Sequence, residues 1–125
     1  MTKEETIAHW RRGSRASLKL AELAHQEGEY ALALFHCHLA VEKSLKAMYI
    51  LQKADNPPPT HDLLALASRL DFLWNDEQEA SLASLTEYAV TARYDDIEWA
   101  VEEATKKNSA FWIGKVQEIL PLLSI

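Results

Sequence analysis

The stretch GEYALALFHCHLAVEKSLKAMYI, Gly28 to Ile50, decides how this chain folds. After Gly28 it contains no glycine or proline, and alanine, leucine, lysine and glutamate dominate it. These are strong helix formers, so the stretch predicts a long helix over about Glu29 to Lys53. Tyr30, Leu34, Cys37, Val41, Leu45 and Met48 recur at helical spacing and form one apolar stripe. Cys37 belongs to that stripe as a small hydrophobe rather than as a reactive thiol. On an intact helix, positions two apart point to nearly opposite sides, so His36 and His38 cannot grip one metal ion. With no CxxC, no HxxxH and no second cysteine, a metal site is not expected.

The same helix carries a second apolar side, with Leu32, Leu39, Ala40, Ala47 and Ile50 around His36. A surface helix shows one apolar face. Two faces imply either a central place in the bundle or a cover from another subunit, and with five helices available the subunit contact is the expectation.

Working outward, Gly28 suits a left-handed helix cap and separates this helix from a first one over about Lys3 to Glu27. Three successive prolines, Pro57 to Pro59, exclude helix from the segment ADNPPPTHD. A third helix is predicted after an N-cap at Thr60, ending near Leu73. Asn75 or Asp76 caps a fourth that lasts to about Thr91, and a fifth covers about Ile97 to Leu123. β-branched alternation is scarce. The fold class is all-α: an antiparallel up-and-down four-helix bundle with an extra helix, in one domain spanning residues 1–125.

Composition is that of an ordinary soluble globular protein, with 48% hydrophobic and 26% charged residues. A single cysteine cannot form an internal disulfide, and neither a signal-peptide core nor a membrane span is visible, so a cytoplasmic setting is expected. The net charge of −6 argues against a general nucleic-acid coat. It is unevenly spread. Residues 1–53 hold eight Lys/Arg against six Asp/Glu, a net of +2, whereas residues 54–125 hold five against thirteen, a net of −8. Arg11, Arg15 and Lys19 fall at i, i+4 and i+8 on the first helix, with Arg12 close by. This basic stripe is either a solvated face paired with the acidic second half or a surface for phosphates or an acidic partner.

The run from Gly28 to Ile50 resembles the signature helix of the HEPN domain, in which G-x-Y precedes A-x-F-x-x-x-x-A-x-E-K-x-L-K-A. The resemblance continues through the proline loop into Thr60-His61-Asp62-Leu63. It reaches Arg93-Tyr94-Asp95-Asp96, which looks like the family's RYPD-type turn before the last helix, and so covers about residues 10–123. It implies a helical bundle that is usually a homodimer, in a prokaryotic setting and often beside a minimal nucleotidyltransferase in a toxin–antitoxin-like pair. Nucleotide binding has been proposed for the family, and some members are RNases.

The RNase members carry an arginine followed after four to six residues by a histidine. The arginine stabilises phosphate charge and the histidine moves a proton at the scissile bond. No arginine here stands at that distance before any histidine, and no histidine follows His61. Aligned on Tyr94, Ala92 takes the histidine position and Glu87 lies near the arginine position. The expected function is therefore a non-catalytic binding module, with neither cofactor nor metal. The alternative is an RNase or nucleotide-processing toxin with a non-standard site.

For either reading the candidate contacts are Arg93, Tyr94, Asp95, Asp96 and His61. Arg93 can fork onto a phosphate or carboxylate, and Tyr94 offers a stacking face. The bland alternative is a structural corner at the turn, with His61 anchoring the proline loop. Trp10, Trp74, Trp99 and Trp112 read as core or interface anchors. RNA remains an open partner, and a membrane is not expected.

Overall fold

The computed structural model describes residues 1–89 and 97–124, with the side chain of Ile97 left out. Six α-helices follow in order: α1 Lys3–Gln26, α2 Tyr30–Lys53, α3 Leu63–Ala67, α4 Asp76–Glu87, α5 Ile97–Glu102 and α6 Lys106–Ile119. A 3-10 turn over Leu120–Leu123 ends the series. No strand occurs among the described residues.

The turns are made by the residues the sequence points to. Gly28 sits at φ +78°, where a side chain would be strained, and lets the Glu29 amide donate to the Ala24 carbonyl at 2.9 Å. α1 and α2 thereby become antiparallel neighbours. Asn75 caps α4 through a reciprocal box, its side chain accepting from the Gln78 amide at 2.8 Å while Gln78 accepts from the Asn75 amide at 2.9 Å.

Two predicted segments divide differently. α3 starts from Asp62, whose carboxylate accepts from the Ala65 amide, and ends at Ala67 rather than near Leu73. Beyond Ala67 the chain turns so that the Trp74 indole donates to the Ala67 carbonyl at 3.2 Å. Trp74 also packs on Phe72, with ring centroids 4.3 Å apart. The predicted last helix is broken. Thr105 caps α6 by accepting from the Asn108 amide, and the Asn108 side chain donates back to the Glu103 carbonyl at 2.8 Å. Side chains that offer the backbone such partners end helices even among strong helix formers.

α2 is the axis of the molecule. Its predicted stripe from Leu34 to Met48 is buried against Leu63 and Leu66 of α3, Leu82 and Leu85 of α4, Val116 of α6, and Leu123. Part of the second apolar side is closed within the chain, at Ala40, Ala47 and Ile50, whereas His36 and Leu39 are only partly buried. Ala47 and Ile50 pack on Ile7 of α1, and Ser14 of α1 donates to the Ala40 carbonyl at 2.6 Å. Small side chains at Ser14, Ser17, Ala21 and Ala24 let α1 lie close to α2. At Gly13 an added Cβ would stand 3.1 Å from the Lys43 stem. Leu32 alone among the named residues of that side is half exposed, at 50%. No helix is long and apolar enough to cross a membrane, among the described residues.

Candidate functional site

α2 has no polar face to give to water, yet it carries charge. His38, Glu42 and Lys46 lie at i, i+4 and i+8, one above the next on a single stripe. All three are buried, with side-chain exposures of 0%, 5% and 10%. Buried ionisable groups must find partners or change protonation state. Here the partners come from the loop after α2 and from α1.

The Glu42 carboxylate is held at both oxygens. Its Oε2 accepts from the Lys46 ammonium at 3.1 Å, and its Oε1 accepts from Nδ1 of His61 at 2.7 Å. Lys46 also lies 5.4 Å from the centre of the Trp10 ring of α1, a cation–π distance. His38 completes the group. Its Nε2 faces the His61 carbonyl oxygen at 2.9 Å, and since a carbonyl only accepts, Nε2 must carry the proton. The same nitrogen is 3.5 Å from Glu42 Oε1.

Burial pushes the His38 pKa down, against the opposing pull of the His61 carbonyl and Glu42. A neutral ring protonated at Nε2 leaves Nδ1 as a bare acceptor, and that atom is buried with no hydrogen-bond partner. His61 donates its Nδ1 proton to Glu42, and its side chain is 65% exposed.

Every residue of Thr60-His61-Asp62-Leu63 now has a local task. Thr60 accepts from the Asp62 amide at 3.1 Å, and Asp62 caps α3. The Leu63 amide donates to the Thr86 hydroxyl of α4 at 3.0 Å, and the Leu63 side chain is core. His61 ties the proline loop to α2 at two points, by its ring to Glu42 and by its carbonyl to His38. An exposed imidazole oriented by a carboxylate has the geometry of a proton-transfer group. Phosphodiester chemistry also needs a group to take up developing negative charge. No hydrogen bond or ion pair joins an arginine to His38 or His61 among the described residues. Burial holds the Cys37 thiol up at about 12, which rules out a thiolate nucleophile near neutrality.

Arg93, Tyr94, Asp95 and Asp96 lie outside the described residues, as does Ala92. Arg11, Arg12 and Arg15 line one hollow together with Glu4, Arg11 and Arg15 also line an adjoining groove, and the exposed Lys19 lines neither. His36 sits beside Phe35, away from the His38 partners, with its pKa lowered by burial and by Lys43. No group of three His, Cys, Asp or Glu side chains is arranged to hold a metal among the described residues. His25 bonds to Ser109 at 2.9 Å, joining α1 to α6. Trp112 is core, and Trp74 and Trp99 are partly buried against it. Sequence reasoning named His61 but missed Glu42 and Lys46, although the spacing of His38, Glu42 and Lys46 was there to be read.

The bundle and its signature helix agree with what known proteins show. The crystal structure of TT1696 from Thermus thermophilus superposes with a TM-score of 0.83 at 23% identity, over 94% of each chain, which establishes a shared fold. No curated protein matches the sequence. The family model for the HEPN domain matches residues 7–125, and the chain accordingly belongs to the HEPN-domain family.

Proposed function

We propose that this chain is a HEPN-type binding module without RNase chemistry. It acts as one domain over residues 1–125, assembles as a cytoplasmic homodimer, and partners a minimal nucleotidyltransferase-like protein or binds a nucleotide. The observation that supports this most is the engagement of His61. Its Nδ1 is taken by Glu42 at 2.7 Å and its carbonyl by His38 at 2.9 Å. A histidine spent on holding a loop, with no arginine bonded to it among the described residues, fits a positioning role better than phosphodiester cleavage. The charge asymmetry, +2 over residues 1–53 and −8 over residues 54–125, gives a partner two surfaces of opposite sign. Arg93 and Tyr94, before α5, are the proposed contact on the acidic half, where Asp95 and Asp96 flank them.

Calorimetric titration against nucleotides and against any nucleotidyltransferase encoded beside this chain tests the reading. Saturable binding to one of them, weakened by Arg93→Ala while the fold persists, is the expected result. Absence of binding to either would overturn it. Sedimentation equilibrium tests the assembly, and a 14.2 kDa species alone at micromolar concentration would count against the dimer.

One observation favours a second reading. The 65% exposed ring of His61, oriented by Glu42, has the placement a proton-transfer residue requires. An RNase or nucleotide-processing toxin with a non-standard site would use it. RNA or nucleotide turnover lost in His61→Ala would select this reading.

A further inference from the structure

α1 closes the second apolar side of α2 only in part, and the part left open is a patterned surface. Leu32, Phe35, His36, Leu39 and Lys43 fall at i, i+3, i+4, i+7 and i+11, one stripe of the helix. Leu32 is 50% exposed, and Phe35, His36 and Leu39 are partly buried. The stripe borders α1, because the Lys43 ammonium donates to the Ser17 hydroxyl at 3.0 Å and its stem runs beside Gly13. On α1, Leu20 and Leu23 lie two and three turns beyond Gly13 on the same side, 46% and 47% exposed. Single exposed leucines are ordinary on a protein surface, but a contiguous apolar face marks a contact.

The charges on this face select what covers it. Glu29, His36 and Lys43 stand at i, i+7 and i+14, on one line along α2 with His36 midway. A two-fold axis across the helix at His36 turns a second copy end for end. It sets Glu29 of each copy against Lys43 of the other, with the leucines meeting between them, as an isologous contact requires. Glu29 is exposed, Lys43 keeps donors beyond the one given to Ser17, and no ion pair engages either among the described residues. A partner of single-signed charge would satisfy one end of the line and repel the other. The α1 contacts fit the same axis. Ser14 meets the Ala40 carbonyl and the Ala24 carbonyl meets the Glu29 amide, which places Leu20 within about one turn of the level of His36.

A histidine at the centre of such a face ties its closure to pH. Nδ1 of His36 is buried with no hydrogen-bond partner, so a proton there finds no acceptor within the chain. Burial, and then Lys43, already hold the pKa below its ordinary value of 6.5. Lys43 is the charged group that acts on the ring, since Gly13, Ser17 and Leu20 alongside it on α1 carry no charge. Across the axis the ring meets His36 of the second copy, while Glu29 of that copy lies two turns away against Lys43. We propose that this face joins two copies of the chain with their α2 helices antiparallel, and that proton uptake by His36 separates them. The inference rests on the homodimer in the binding-module reading, for which it names the surface and its control. Closure desolvates the ring further and brings a like charge against its protonated form, so the free chain takes up the proton first. The dimer therefore has its full strength above about pH 6.5 and weakens as pH falls below it.

Sedimentation equilibrium of the full chain at about pH 7.5 and about pH 5.5 tests both statements, with circular dichroism at each pH to show that the helices persist. The wild type should form a species of twice 14.2 kDa at the higher pH. At the lower pH its dissociation constant should rise about tenfold or more, two protons being taken up per dimer. Leu32→Glu should leave a folded monomer. Glu29→Lys and Lys43→Glu should each weaken the dimer, and the two together should restore it by exchanging the ends. His36→Gln should stay dimeric at both pH values. A dimer indifferent to Leu32→Glu and to the charge reversals would overturn this face while leaving the homodimer standing. A wild-type constant that holds between the two pH values, or a His36→Gln dimer that dissociates as the wild type does, would overturn the control by His36. A wild type monomeric at both would overturn face and homodimer together, and the nucleotide and nucleotidyltransferase titrations then decide the rest of that reading. If such a monomer bound a neighbouring nucleotidyltransferase and Leu32→Glu abolished the binding, the face would belong to that protein and self-association would be overturned.

Discussion

Replacing Glu42 by alanine removes the one acceptor that satisfies Lys46 and the ring of His61 together. Lys46 is 10% exposed and would keep its charge in place with only the face of Trp10 to meet it. Truncating one member of a buried pair costs about 3–5 kcal/mol, because the other charge is left uncompensated. The His61 contact adds little, since its ring is 65% exposed and water can replace the carboxylate. An unfolding entropy of roughly 2.1 cal/mol/K per residue over 125 residues gives about 0.26 kcal/mol/K. The midpoint of thermal unfolding should therefore fall by about 11–19 °C. Glu42→Gln keeps an acceptor for His61 and should cost less. The double variant Glu42→Ala with Lys46→Met removes both charges and should recover much of the loss, since a matched apolar pair in such a site is close to neutral. Paired thermal and urea melts of all three variants measure this. A Glu42→Ala loss under about 1 kcal/mol, or a double variant no better than the single one, would refute the network as described.

Other consequences can be measured on the same protein. Burial lowers the His38 pKa below its ordinary value of 6.5. The unfolded chain therefore takes up the proton first on acidification, and stability must fall as pH drops through about 6.5, levelling once the folded pKa is passed. His36 shifts the same way and adds to the slope. Urea midpoints at about pH 7 and about pH 5.5 should show the decline, with a shallower one in His38→Gln; a midpoint that holds or rises in the wild type would contradict the buried neutral ring. Cys37, buried and with its thiol pushed up to about 12, should react with an aromatic disulfide only as fast as the native state opens. Immediate stoichiometric labelling of folded protein would show the thiol lies outside the core. Gly28→Ala meets open space but a φ of +78°, so it should cost about 1–2 kcal/mol in urea melts through backbone strain alone; a neutral result would place the α1–α2 turn in another conformation.

What can be read from the sequence follows the range of the forces involved. Gly28, Asn75 and the prolines act within a few residues, so the ends of α1, α2 and the start of α4 are legible. The stripe from Leu34 to Met48 is legible because helical periodicity does not depend on the partner it meets. The end of α3 is not, because it depends on Trp74 turning back onto the Ala67 carbonyl, and the break at Thr105 sits among strong helix formers, Glu102, Glu103, Ala104, Lys106 and Lys107. For the second apolar face of α2, periodicity shows that the face is covered but not by what. Here α1 covers the part around Ala40, Ala47 and Ile50, with Ile7 and the Ser14 contact, and leaves Leu32 half exposed.

The same limit applies to chemistry. His61 stands out as a loop histidine, but Glu42 and Lys46 pass for solvated charges because charged residues on helices normally are. Their burial becomes visible only when the whole turn around them is apolar. The spacing of Arg11 and Arg15 is plain. The groove they line forms only through tertiary packing, which no local pattern encodes.

The central claim is that this HEPN chain binds and does not cut. Its most direct test is prolonged incubation of end-labelled single-stranded RNA with an excess of the purified protein. With Glu42 and His38 engaging His61, and the arginine-to-histidine spacing of the RNase members absent from the sequence, the RNA should remain full length. Cleavage that tracks the protein through purification and disappears in His61→Ala would contradict the account.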